Sequence, residues 1–153
     1  MPHFIVDCSE EILAFHSIET ILKYLHQVAN HTKLFEESDI KVRINPFKTS
    51  WVGNKKQPFI HVFAHIMEGR TDDEKNTLST SMVKRLSIMF PDVESISMSI
   101  VDLHKVGYVN LAIMHGATVS DPDINDGKSA IKSEGKPASK ADKQPESADK
   151  TAV

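Results

Sequence analysis

Pro58-Phe59-Ile60-His61-Val62 repeats, in the second half of the chain, the plan of Pro2-His3-Phe4-Ile5-Val6. Each is a proline followed by a short apolar run of the kind that forms a buried strand. Proline is tolerated at the first residue of a strand, where its missing N–H interrupts no ladder. The second run continues to Met67 and is the most strand-like stretch of the sequence. Behind each run comes a helical pattern and then a second strand.

In the first half, Ser17 is placed to cap a helix whose apolar residues Ile18, Ile21, Leu22, Leu25, Val28 and Ala29 share one face. Ile40 to Ile44 then alternates with Lys41 and Arg43, which puts both cations on one face of a strand. In the second half, Thr71-Asp72-Asp73-Glu74 is a capping box. The helix it opens carries Leu78, Met82, Leu86, Met89 and Phe90 and stops at Pro91. From Ser95 to Val101, serines alternate with Ile96, Met98 and Ile100, the pattern of a half-buried strand. Two β-α-β units in tandem give an α+β fold, a four-stranded sheet with two helices on one face. The other sheet face is left bare, and oligomerisation is its natural cover.

The 153 residues suffice for one domain, with ordinary globular composition at 40% hydrophobic and 25% charged. A net charge of -3 argues against a nucleic-acid surface but leaves room for a locally basic pocket. Cys8 is the only cysteine, which excludes an internal disulfide and a thiolate metal cluster. No apolar run is long enough to span a membrane, and the first residues lack the order of a signal peptide. A cytoplasmic protein is expected. Composition changes near His115: from Gly116 to Val153 there is no Phe, Trp, Tyr, Leu or Met. Residues 1–115 are therefore expected to form the domain and 116–153 a disordered charged tail, because such a segment cannot offset its ordering entropy by burial.

Two places carry chemistry. Met1 before a small residue is usually clipped, which would turn Pro2 into a free secondary amine held rigidly by its ring. Pro2 as a merely tolerated terminal residue is the plainer alternative. Glu68-Gly69-Arg70-Thr71-Asp72 joins a strand end to a helix start. Gly69 permits the turn, and Arg70 stands where helix amides favour an anion, with a fork suited to a carboxylate. Pairing of Arg70 with Asp72, Asp73 or Glu74 is the competing reading.

Together these features resemble the tautomerase superfamily. The resemblance rests on Pro2 opening the first strand, the tandem β-α-β plan, and Glu68-Gly69-Arg70-Thr71 followed by Glu74-Lys75. The opening Met1-Pro2-His3-Phe4-Ile5-Val6 with Cys8-Ser9 is most similar to the 5-carboxymethyl-2-hydroxymuconate isomerase branch. The resemblance implies an isomerase needing no metal and no organic cofactor. Its N-terminal proline moves a proton in an unsaturated 2-hydroxy/2-oxo dicarboxylic acid. By that resemblance Pro2 is the base, Arg70 binds a substrate carboxylate, and the second-strand cations Arg43 and Lys41 bind substrate too. Lys41 departs from the branch, which carries arginine there; lysine keeps the charge and loses the bidentate fork. The resemblance further implies a homotrimer and a place in bacterial catabolism of aromatic acids.

Phe35 and Trp51 are candidates for an apolar pocket wall. His61 and His65 lie on one strand face, too far apart to share a metal ion. Cys8 reads as a small core residue. The rival functions are a related tautomerase, acting on another 2-hydroxydienoate or an arylpyruvate enol, and a non-catalytic oligomeric scaffold of the same fold.

Overall fold

Phe4, Val6 and Cys8 alternate with less buried neighbours along one strand, as Ile60, Val62, Ala64 and Ile66 do along another, and all seven are fully buried. In the computed structural model, which describes residues 1–116, these strands lie side by side at the centre of the sheet. β1 spans His3–Ser9 and β3 spans Phe59–Met67, with Val6 opposite Val62 in an antiparallel pair. β2, Lys41–Phe47, adds parallel to β1 on one edge, and β4, Ser95–Leu103, adds parallel to β3 on the other. The order β2-β1-β3-β4 is that of two β-α-β units set against each other. Pro46 is accommodated in β2 because that strand is an edge.

The helices cover one sheet face. α1, Ile18–His31, buries Ile21, Leu25 and Ala29, and α2, Asp72–Met89, buries Leu78, Met82, Leu86 and Met89. Both start as the sequence predicts: Ser17 Oγ accepts from Thr20 N, and Thr71 with Glu74 forms the reciprocal capping box. A one-turn 3-10 segment, Glu10–Ala14, adds Ile12 to the core. The tandem β-α-β sheet with two long helices on one side therefore stands as the sequence predicts.

Among the described residues, no layer covers the opposite face. His3, Ile5 and Asp7 of β1 line up there with Lys41, Arg43 and Asn45 of β2 and with His61, Phe63 and His65 of β3. Phe63 and Val101 are 37% and 46% exposed on it. A short helix absent from the sequence reading, α3 at Leu111–Gly116, follows β4 and crosses the expected domain limit by one residue. Residues 117–153, on which the disordered-tail expectation falls, lie outside the described residues.

Candidate active site

Pro2 is fully buried, on the same side of β1 as Phe4. Its carbonyl accepts a 3.1 Å hydrogen bond from Lys41 N, which fixes it beside the start of β2. In front of it lies a cavity of about 210 Å³, lined by Met1, Pro2, Lys33, Leu34, Phe35, Glu36, Asp39 and Arg70. The first strand, the end of the first helix and the turn before the second helix thus converge on one small polar chamber.

Arg70 reaches the chamber from the turn after β3. Gly69 takes φ +107, a conformation that side chains rarely adopt, and this lets the chain reverse before Thr71 caps α2. The guanidinium donates through Nη1 to Met67 O at 3.0 Å and through Nη2 to Leu34 O at 2.9 Å. It also lies over the Phe35 ring at 5.3 Å. Arg70 is therefore not spent on Asp72, Asp73 or Glu74. The Glu74 carboxylate turns back to Thr71, whose N–H and hydroxyl hold its pKa below the usual carboxylate range. Two of the five guanidinium N–H groups are used on backbone, so three remain for an anion in the chamber.

Phe35 is among the residues lining the chamber, half-buried and edge-on to the core ring of Phe4 at 6.0 Å. Trp51 is not brought to Pro2 within one chain. It lies in the loop between β2 and β3, 67% exposed, next to Ser50, whose hydroxyl meets Ser9 Oγ at 2.9 Å. Ser9 is the far end of seven-residue β1, which at roughly 3.3 Å per residue puts Trp51 roughly 20 Å from Pro2.

Lys41 and Arg43 also stand apart from the chamber. They lie on the bare sheet face opposite His3 and Ile5, and Arg43 Nη1 approaches His3 Nδ1 at 3.3 Å. Lys41 Nζ donates to Asp39 O at 3.2 Å. Burial first, then the charges of Arg43 and Lys41, hold the His3 imidazole below its usual pKa. Pro2 thus sits at a strand end with cations on both sides of the sheet: Arg70 and Lys33 on the helix side, Arg43 and Lys41 on the open side.

Lys33 escaped the sequence reading. It follows the Thr32 cap of α1 with φ 58, the left-handed position where glycine or asparagine usually ends a helix. A lysine there gives no pattern signal, yet the conformation brings Lys33 into the chamber lining.

The antiparallel pairing of β1 and β3 puts the second proline, Pro58, at the opposite end of the sheet from Pro2. A cavity of similar size there is lined by Gln57, Pro58, Asp92 and Glu94. Its lining has no basic side chain to set against Asp92 and Glu94, whereas the Pro2 chamber sets Arg70 and Lys33 against Glu36 and Asp39, so of the two the Pro2 site is the better suited to acids. Cys8 is buried and its thiol is pushed up to about 11, chiefly by burial, which suits packing rather than nucleophilic chemistry. His61 is bonded to Ser97 and Ser99 at 2.7 and 3.1 Å. Among the described residues, no group of three or more His, Cys, Asp or Glu side chains is arranged to hold a metal ion. Nor is any helix among them long and apolar enough to cross a membrane.

Residues 2–109 match the family model described as 5-carboxymethyl-2-hydroxymuconate isomerase. Among curated proteins no sequence match is found. Several solved structures share the fold. Pt0534 inactivated by 2-oxo-3-pentynoate is 14% identical with a TM-score of 0.61, over 71% of this chain and 91% of that one. N1, a member of the cis-3-chloroacrylic acid dehalogenase family, is 11% identical with a TM-score of 0.62, over 71% and 80%. The F6 fused 4-OT asymmetric trimer is 15% identical with a TM-score of 0.60, over 71% and 91%. At such identities the likeness is one of fold, and one fold can host several chemistries.

Proposed function

Because the chain belongs to the 5-carboxymethyl-2-hydroxymuconate isomerase family, we propose that it is a cofactor-independent isomerase of unsaturated 2-hydroxy/2-oxo dicarboxylic acids. Removal of Met1 frees the Pro2 amine, which acts as general base. The observation that carries this reading is the shared chamber: a buried Pro2 with Arg70 and Phe35 in the same wall.

The step follows from that arrangement. The neutral Pro2 nitrogen takes the proton of the substrate's enol hydroxyl. The O–H electron pair becomes the C=O bond, the conjugated double bonds shift, and the pair at the far carbon takes the proton back from nitrogen. Atoms and charge balance, and the amine is regenerated. A base at neutral pH needs its ammonium form disfavoured; the buried place of Pro2 and the Arg70 guanidinium act in that direction, and Glu36 and Asp39 in the same lining act against it. A base so tuned contributes about 10²–10⁴-fold. Arg70 and Lys33 bind carboxylate and stabilise the dienolate charge as it develops.

The bare sheet face, with Ile5, Phe63 and Val101 among polar neighbours, supports assembly through that face. The fused 4-OT neighbour is a trimer, and a homotrimer is the assembly proposed for this chain. Arg43 and Lys41 would then act from an interface, and Trp51 on a neighbouring subunit's chamber. Catabolism of aromatic acids is the proposed setting.

The test is an ultraviolet assay of ketonisation on a panel of dienol acids, with intact-mass analysis before and after 2-oxo-3-pentynoate. A neutral amine adds to that alkyne. Loss of Met1, one covalent adduct at Pro2, and turnover of a dicarboxylic dienol are expected. A protein that retains Met1, takes no label and turns over no acid in the panel would be a scaffold.

A further inference from the structure

Met1 does more than precede Pro2. Its side chain forms part of the chamber wall, and its Sδ accepts a hydrogen bond from Tyr108 Oη at 2.9 Å. The hydroxyl is aimed by its surroundings. Asn110 Nδ2 donates to the same oxygen at 3.5 Å, which leaves the Tyr108 proton free to point at whatever occupies the place of Met1. Asn110 is itself held, because its Oδ1 accepts from Ile113 N at 2.9 Å at the start of α3. The turn below is anchored as well. Tyr108 N donates to Lys105 O at 3.2 Å, and Lys105 N donates to Glu68 Oε1 at 3.0 Å, beside the Gly69-Arg70 turn.

Size gives a second reason. The chamber of about 210 Å³ is below the roughly 300–1,000 Å³ usual for small-molecule sites. Met1 lines it, and Tyr108 meets Met1 from outside that lining. Removal of Met1 therefore enlarges the chamber in the direction of the Tyr108 hydroxyl. Arg70 and Met1 line the chamber together and Tyr108 touches Met1 without being part of that lining, so an acid in the vacated place has the guanidinium and the hydroxyl as separate donors.

We propose that Tyr108 is a substrate-contacting residue of the Pro2 site, its hydroxyl donating to the carboxylate at the substrate end remote from Arg70. This rests on the reading of Pro2 as the base and adds to it how the second carboxylate is recognised. The effect is on specificity. A site built to hydrogen-bond an acceptor discriminates against an analogue that lacks it, because its polar groups are then left unpaired.

The experiment compares Met1-processed wild type with Tyr108→Phe on a dicarboxylic dienol and on the monocarboxylic dienol that lacks the remote acid. Tyr108→Phe should raise KM for the dicarboxylic acid about tenfold, as expected for loss of one hydrogen bond to a charged group. It should leave KM for the monocarboxylic acid where it was, so the preference between the two falls by the same factor. Asn110→Ser, which keeps a side-chain cap for α3 and removes the donor to Tyr108, should shift KM less and in the same direction; it also serves if Tyr108→Phe does not fold. An active wild type whose KM ratio is the same in both variants overturns the Tyr108 proposal and leaves the Pro2 reading intact. A processed wild type that turns over neither acid and takes no 2-oxo-3-pentynoate at Pro2 overturns both.

Discussion

The Arg70 guanidinium lies 5.3 Å over the ring of Phe35 while its Nη2 donates to Leu34 O next door. One side chain thus braces the segment after the first helix and presents charge to the chamber beside Pro2. Both roles depend on the planar fork. A hydrogen bond from a charged donor contributes about 1.5–3 kcal/mol, and an exposed cation–π contact about 0.5–1 kcal/mol.

Arg70→Ala should therefore lower kcat/KM about a hundredfold or more and also lower the thermal midpoint by several degrees. Arg70→Lys separates the two roles. It keeps a charge near the substrate but cannot reach Met67 O and Leu34 O together, so it should regain part of the activity and little of the stability. Steady-state kinetics and thermal unfolding of the two variants check this. Equal behaviour of Lys and Ala would mean that charge in the chamber is unimportant.

Pro2→Ala leaves a primary amine at the same place once Met1 is removed. It should reduce kcat about a hundredfold, within the range assigned to a positioned base. Because Pro2 is buried against the core, a modest fall in unfolding temperature should accompany it. A variant extended so that Met1 is retained should show lower kcat still, since no free amine then faces the chamber. Activity of wild-type size in the extended form would remove the base from the mechanism.

The fold was legible because its signals are local. Alternation along Phe4-Val6-Cys8 and Ile60-Val62-Ala64-Ile66, two capped helix starts and the repeated proline-led runs each depend on a few adjacent residues. The places of Pro2 and Arg70, which line one chamber, were legible for the same reason, one beside a chain start and the other in a turn with glycine and a capping box. What was not legible depends on direction rather than spacing. Lys41 and Arg43 share a strand face, but which face looks toward the chamber follows from the packing of α1, and they fall on the other one. Trp51 has no periodic partner to place it, and it lies at the wrong end of β1 for a contact within the chain. Lys33 enters through a backbone angle that lysine seldom takes, and Tyr108 through a fold-back of the segment beyond β4 onto Met1.

The capping box links stability to the site. Thr71 Oγ1 accepts from Glu74 N at 3.2 Å, and Glu74 Oε2 accepts from Thr71 N at 2.8 Å, one residue beyond Arg70. Thr71→Ala should cost about 1 kcal/mol of stability, the usual value for loss of such a cap. It should also raise KM severalfold, because the turn that aims Arg70 is loosened. Thr71→Ser keeps the oxygen and should restore both. Denaturant unfolding and kinetics on the pair check it, and a Ser variant as impaired as Ala would show that the cap is not the cause.

His3 gives the bare sheet face a pH dependence whose sign is fixed by its surroundings. Burial first, then Arg43, Lys41 and His65, lower its pKa from the ordinary 6.5. The unfolded chain therefore takes up the proton before the folded chain does. The contribution of His3 to stability is fully present above pH 6.5 and is lost as pH falls through that value toward the lower folded pKa. Protonation also puts a third positive charge beside Arg43 and Lys41, on the face proposed to hold the subunits together. Stability and assembly should both weaken between about pH 7 and pH 5. His3→Asn, which cannot titrate, should flatten that slope without changing its value at the alkaline end. Urea unfolding and light scattering across the range measure the two quantities; an unchanged slope in His3→Asn would assign the effect to another group.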